Sequence, residues 1–183
     1  MPLSSKEAAQ NLLEIEKTEQ RSSNAYGYEM AAPHLLLWGV IWMIGYSVSY
    51  IYPQISWLWL VLAGMGTLAS ALIGWRMKRA RSSDSRDLRY LSSALAVFLF
   101  IAALFQIAPL NGMQIGAFFP ILVALFYGLV GIWSRGLRMI ILGVALAALT
   151  LIGYFDLQQY FALWMAVVGG GGLILGGLWL RSV

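Results

Sequence analysis

The stretch VVGGGGLILGGLWLRSV, residues 167–183, places six glycines within nine consecutive residues of an otherwise apolar segment. In water, glycine destabilises a helix by about 1 kcal/mol relative to alanine, so this composition argues against a helix of a soluble protein. A lipid bilayer changes the balance, because an unpaired backbone group costs several kcal/mol there and the chain has to remain helical. The stretch therefore indicates a membrane-spanning helix whose small residues let a neighbouring helix approach closely.

The composition of the whole chain also indicates a membrane protein. Of its 183 residues, 60% are hydrophobic and only 11% are charged, which lies outside the range of soluble domains. The chain has no cysteine, and this excludes disulfides and thiolate metal sites. The polar N-terminus lacks the apolar core of a cleaved signal peptide.

Six apolar segments are long enough to cross a bilayer, which needs roughly 20 apolar residues per helix. The predicted spans are about 33–52, 55–75, 90–108, 113–133, 137–155 and 160–180. Short polar turns separate them, such as YPQ at 52–54, APLNG at 108–112 and DLQQ at 156–159. We expect an all-α polytopic integral membrane protein whose six transmembrane helices form three hairpins, with residues 33–183 as the transmembrane domain.

Basic residues predict the orientation of these spans. In the six-span arrangement all twelve Lys and Arg residues fall on one side, in the N-terminal segment, the 76–89 loop, the 134–138 turn and the C-terminal tail. The positive-inside rule assigns that side to the cytoplasm, with both termini inside. The predicted location is the inner (plasma) membrane of a bacterium.

Residues 1–32 form the predicted cytoplasmic lead-in. SSKE at 4–7 is typical of a helical capping box, and a short amphipathic helix should follow to about residue 22. Its apolar stripe includes Leu12 and Ile15, and we expect it to dock on the protein's own cytoplasmic face or on a partner. The stretch after it, 24–34, is either a plain linker or a regulatory element.

Small residues at four-residue spacing recur in the second, fourth and sixth spans, and this spacing predicts close packing among the even-numbered helices. The predicted packing residues are Gly66, Ser70, Gly74, Gly128, Gly172 and Gly176. Each of these three spans also ends in tryptophan followed by arginine. Three duplicated hairpins would explain the likeness, and so would interfacial anchoring at any inward-ending helix.

The basic 76–89 loop has two interpretations. Its charges serve as topological determinants, or they contact anionic lipid headgroups through Arg76, Lys78, Arg79 and Arg81. No nucleic-acid-binding pattern accompanies the charge, so we expect no nucleic acid partner.

Ionisable side chains are almost absent from the spans, although such residues are the usual functional candidates within a membrane. His34 is the only histidine, and it lies at the predicted cytoplasmic edge. No metal or haem ligand set, Walker motif or catalytic triad emerges. We expect no enzyme activity, no metal and no cofactor.

A polar and aromatic cluster on the predicted outer face is the candidate ligand site. Its residues are Asp156, Gln106, Gln159, Tyr154, Tyr50 and Trp57. In one interpretation they are an aromatic belt with polar turns. In the other they form a shallow pocket where Asp156 attracts a cation that aromatic faces hold by cation–π contact, with Gln106 facing protein.

Two functions from different classes follow. The first is a non-enzymatic membrane module that binds a ligand or a partner, as an accessory or sensory subunit. The second is a small transporter or channel for a neutral, apolar or cationic solute. Besides the lipid bilayer, the expected partners are a membrane or cytoplasmic protein or further copies of the chain in a homo-oligomer.

Overall fold

A computed structural model describes residues 5–80 and 88–182, and every regular element in these ranges is helical. The helices are α1 (Ser5–Ile51), α2 (Leu58–Ala80), α3 (Leu88–Ile107), α4 (Gly112–Trp133), α5 (Leu137–Asp156) and α6 (Gln158–Arg181). The predicted all-α architecture is confirmed.

Five helices, α1, α2, α4, α5 and α6, are long and apolar enough to cross a membrane. The sixth, α3, contributes a described apolar stretch of 13 residues, Leu95–Ile107. The chain is therefore an all-helical protein with five to six potential membrane spans.

Helix α1 is longer than the sequence predicts, since it runs unbroken for 47 residues. The expected helix end near residue 22 is absent, and the boundary at residue 32 falls inside the helix. Helix α1 continues through Pro33, although proline removes one backbone hydrogen bond. Tyr28 and Ala32 are buried here, so tertiary packing offsets that loss. The predicted cap at Ser4 lies outside the described residues.

Two helix ends show how the turns are made. Asn111 precedes α4 and forms a capping box: its side chain accepts from Gln114 N at 2.9 Å, and Gln114 Oε1 accepts from Asn111 N at 2.9 Å. Helix α6 begins with a 3₁₀ turn at Gln158–Tyr160 and widens into a π-helical segment at Met165–Gly170.

One close helix crossing joins α1 to α6 at two glycines. A Cβ built on Gly39 would lie 2.8 Å from the carbonyl oxygen of Gly170, and one built on Gly170 would lie 2.9 Å from that of Gly39. Further along, a Cβ on Gly177 would lie 3.1 Å from the carbonyl oxygen of Ala32. Because only glycine leaves room for such backbone contact, these residues fix how the first and last helices pack.

A second close crossing joins α4 to α5. A Cβ on Gly143 would lie 2.6 Å from the carbonyl oxygen of Ala124 and 2.8 Å from the backbone nitrogen of Gly128. A Cβ on Gly131 would lie 2.7 Å from the backbone nitrogen of Ile140. Both close crossings join an odd-numbered helix to an even-numbered one, which differs from the expected packing among even-numbered helices.

The predicted packing residues separate into two groups. Gly66 faces Ile41 and Trp38 of α1, Ser70 Oγ accepts from Trp38 Nε1 at 3.1 Å, and Gly176 faces Leu142 and Leu35. Gly128 meets α5 through its backbone only, because its own Cβ direction is open.

Gly74 and Gly172 form the second group. A Cβ on either would have no neighbour within 4 Å among the described residues, so neither points at a neighbouring helix there. Four-residue spacing identified the small residues but not the direction in which each one points.

Candidate functional site

The residues of the predicted outer-face cluster lie on several elements: α1, α3, α5 and the turns before α2 and after α5. Asp156 is the last residue of α5 and is exposed, as is Gln159 in the turn that follows. Tyr50 and Trp57 are also exposed. Within the described residues no hydrogen bond, ion pair or ring contact joins any two of the six candidates. The cation site on the outer face stays a prediction, and the structure places Asp156, Gln159, Tyr50 and Trp57 on the protein surface.

Gln106 differs from its predicted environment. It was expected to face protein, yet its side chain is exposed on α3. The reason is the position of α3 at the edge of the bundle, where Phe105 contacts Phe118 and Phe119 of α4.

A buried aromatic cluster around Tyr46 lies at this end of the bundle instead. The ring of Tyr46 makes edge contacts with Trp42, Trp59 and Phe161. Its hydroxyl donates to the carbonyl oxygen of Gly116 in α4. Tyr154 joins the cluster through Phe161.

Sequence reasoning did not single out Tyr46. The available signal was a tyrosine deep in an apolar span, where its hydroxyl needs a hydrogen-bond partner. That hydroxyl already has a protein acceptor, so the cluster joins α1, α2, α4, α5 and α6 rather than presenting a free polar group.

An apolar groove of about 360 Å³ lies between α3 and α4. The residues lining it are Ala96, Val97, Phe100, Leu122, Leu125, Phe126 and Leu129. None of the predicted ligand residues contributes to it. Among the described residues, no group of three or more His, Asp or Glu side chains lies close enough together to hold a metal ion.

The basic end of the bundle, where Arg135, Arg138 and Arg181 lie, has a more distinctive arrangement. Here α1 extends past the other helices, and its residues from Gln10 to Glu19 are all exposed. We call residues 5–24 the α1 extension. At 1.5 Å per residue its length is about 30 Å.

One face of the α1 extension combines apolar and acidic side chains. Leu12 and Ile15 are 67% and 55% exposed, and Leu13 beside them is 66% exposed. Glu16 and Glu19 fall on the same face as Leu12, because they follow it by four and seven residues. We call Leu12, Ile15, Glu16 and Glu19 the acidic-apolar face.

The turn between α4 and α5 meets the α1 extension. It closes α4 with a Schellman motif, in which Gly136 N donates to the Gly131 carbonyl at 2.8 Å and Arg135 N donates to that of Ile132 at 3.3 Å. Arg135 occupies the left-handed position, with φ of 50°, where glycine is the usual residue. Asn24 Nδ2 donates to the Arg135 carbonyl at 3.4 Å.

Charged side chains add further contacts where the α4–α5 turn meets the α1 extension, a region that we call the junction. Arg135 Nη1 lies 4.0 Å from Glu16 Oε1. Arg138 Nη1 donates to the Trp179 carbonyl at 2.8 Å, and its guanidinium lies against the rings of Tyr28 and Trp179. The junction thus links the α1 extension, the α4–α5 turn and the end of α6.

Three of the four predicted lipid-contacting residues, Arg76, Lys78 and Arg79, lie near the end of α2. Arg76 and Arg79 are exposed, and the guanidinium of Arg79 lies 5.1 Å from the ring centroid of Trp75. The side chain of Lys78 and the whole of Arg81 lie outside the described part of the chain. His34 is half-buried in α1.

Comparisons with known proteins give no relative for this chain: no protein-family model matches it, and no curated protein or solved structure is significantly similar. A functional interpretation therefore has to come from the geometry.

Proposed function

We propose that this chain is a membrane-anchored docking module without enzymatic activity, in which the helical bundle is the anchor and the α1 extension binds a cytoplasmic protein. The bundle spans the inner membrane six times, with both termini in the cytoplasm. Reporter fusions at the C-terminus and within 76–89 should then report cytoplasm, and fusions at 109–112 should report the periplasm. A periplasmic C-terminus would contradict this topology.

The observation that supports docking is the exposure of Leu12, Leu13 and Ile15 on a helix that continues beyond the bundle. Contiguous exposed apolar side chains with a polar surround are typical of protein interaction sites. An amphipathic helix that inserts its apolar face into a groove is a common mode of recognition.

Charge favours one occupant of the acidic-apolar face. A second copy of the chain would lie parallel in the same membrane, and packing this face on itself would place Glu16 and Glu19 against their own equivalents. An anionic membrane surface would repel the same carboxylates. The complementary partner is a cytoplasmic protein with an apolar groove bordered by Lys or Arg side chains.

Site-specific photo-crosslinking in the source cells tests this proposal. A photoreactive residue at Leu12 should give a discrete protein adduct, while the same residue at Gln10, on the opposite face, should not. Replacing Glu16 and Glu19 together by lysine should abolish the adduct. An adduct with a second copy, adducts with lipid alone, or equal crosslinking from both positions would each overturn it.

The transporter alternative has less support. The groove between α3 and α4 has an apolar lining, which suits a lipid chain as well as an apolar solute. The backbone contacts of Gly39 with Gly170 and of Gly143 with Ala124 favour an anchor with fixed helix positions.

A further inference from the structure

The α4–α5 turn places an arginine where the backbone favours glycine. A non-glycine residue in the left-handed region costs roughly 1–2 kcal/mol, and Gly136 lies immediately after it. The turn therefore holds Arg135 in the left-handed conformation, although the next residue, Gly136, could adopt that conformation without strain. Strained backbone of this kind often marks a functional contact.

That arginine contacts the α1 extension through both its side chain and its backbone. Its guanidinium faces Glu16, which lies on the acidic-apolar face, and its carbonyl accepts from Asn24. The amide group of Asn24 points into the junction, because its Oδ1 is buried and has no hydrogen-bond partner in the described structure. Arg135 thus contacts two residues of α1, Glu16 and Asn24, that lie about two helical turns apart.

We propose that Arg135 is a positioning residue that acts as an ionic latch: it holds the α1 extension in one orientation through Glu16 and Asn24, and competition for Glu16 releases it. This inference rests on the proposed docking function, because a basic partner groove would compete with Arg135 for the same carboxylate. The latch thereby regulates how the acidic-apolar face is presented.

The contact is weak enough to open. Glu16 and Arg135 have side chains that are 69% and 74% exposed, and exposed ion pairs of this type change an equilibrium by about two- to fivefold. Salt screens them, since the Debye length falls from about 10 Å at 0.1 M to about 3 Å at 1 M. Gly27 lies between the extension and the buried Tyr28 of the same helix, and glycine is a weak helix former. A released extension therefore changes direction by bending of α1 at Gly27, while residues 5–24 stay helical.

Distance measurements between two spin labels test the latch. The chain has no cysteine, so labels at Leu13→Cys and Val144→Cys, both exposed positions, report the extension relative to α5. The otherwise unchanged chain at low salt should give one narrow distance distribution. Arg135→Gln and Glu16→Gln should each broaden it, with a two- to fivefold larger population of other distances, and the double variant should add little. Raising salt to 1 M should reproduce the broadening.

Two further variants separate a latch from a merely structural turn. Arg135→Gly removes both the strained backbone and the guanidinium, so it should raise the melting temperature while broadening the distances. Glu14→Gln, on the opposite face, should leave the distribution narrow. The latch would be overturned if the distance distribution stayed narrow in Arg135→Gln or in Arg135→Gly. It would also be overturned if 1 M salt left the distribution unchanged. Because no partner is needed, these results are independent of the crosslinking test of docking.

Discussion

Helices α6 and α2 both contain several glycines, yet they pack in opposite ways. In α6, 44% of the residues in the most apolar window are buried within the protein, whereas the figure for α2 is 6%. Gly170, Gly176 and Gly177 of α6 lie at contacts. In α2, Gly66 lies at a contact, while a Cβ on Gly64 or Gly74 would meet none of the residues that the structure describes.

This difference shows that the cost of adding a side chain to a glycine depends on whether it faces backbone or side-chain atoms of the partner helix. Gly170 approaches Gly39 backbone to backbone, and Gly143 lies against Gly128. Gly66 instead faces the side chains of Ile41 and Trp38, which can shift. The loss of stability caused by one added methyl group should therefore be larger at Gly170 than at Gly66.

Gly170→Ala should have the largest effect of this substitution series. Its Cβ would lie 2.8 Å from the backbone nitrogen of Met43 and 2.9 Å from the carbonyl oxygen of Gly39. Backbone cannot move aside without separating α1 from α6, so we expect a loss of about 1–3 kcal/mol. Reversible unfolding of the purified protein in detergent measures it, and unchanged stability would contradict the crossing.

The helices themselves were predictable from the sequence because apolar length and polar turns are local signals. The YPQ, APLNG and DLQQ turns correspond to real helix ends at Ile51, Ile107 and Asp156. The unbroken α1 was not predictable, since it depends on burial of Tyr28 and Ala32 by other helices. Pairings such as Gly39 with Gly170 need the positions of two distant segments.

The candidate site was less predictable than the fold. The exposure of Leu12 and Ile15 follows from the length of α1, and the apolar stripe that they form was visible in the sequence. The contact of Arg135 with Asn24 and Glu16 joins residues more than one hundred positions apart. Its backbone conformation gives no signal in the sequence, because Gly136 next to it is the residue that a turn pattern would favour.

Tyr46→Phe should have the next largest effect on stability, because it removes a buried hydrogen bond between α1 and α4. The Tyr46 hydroxyl donates to the Gly116 carbonyl from a buried position, so its removal should cost about 0.5–1.5 kcal/mol. Tyr50→Phe is the matched control one helical turn away, and Tyr50 is 44% exposed. Equal losses from the two variants in the same unfolding measurement would contradict a special role for Tyr46.

Gly66→Ala should cost less than Gly170→Ala. Its Cβ would lie 2.6 Å from Ile41 Cδ1 and 3.0 Å from the ring of Trp38, and the terminal atom of isoleucine can move to another rotamer. We expect a loss below about 1 kcal/mol. Repeating the measurement with Ile41→Val, which removes the contacted methyl group, should reduce that loss. A loss as large as that of Gly170→Ala would mean that α2 packs on α1 as rigidly as α6 does.

Gly172→Ala should have the smallest effect, although Gly172 lies only two residues from Gly170. Its added methyl group would have no neighbour within 4 Å in the described part of the chain, so overpacking contributes nothing. The helix already continues through this position, and substitutions away from buried contacts usually change stability by no more than about 0.5 kcal/mol. Gly74→Ala in α2, whose Cβ direction is equally open, should behave alike. Glycine spacing in the sequence predicts a contact at both positions, whereas the structure predicts none, so detergent unfolding of this pair distinguishes the two predictions. A loss near that of Gly170→Ala at either position would show that a neighbouring helix or a second copy covers it.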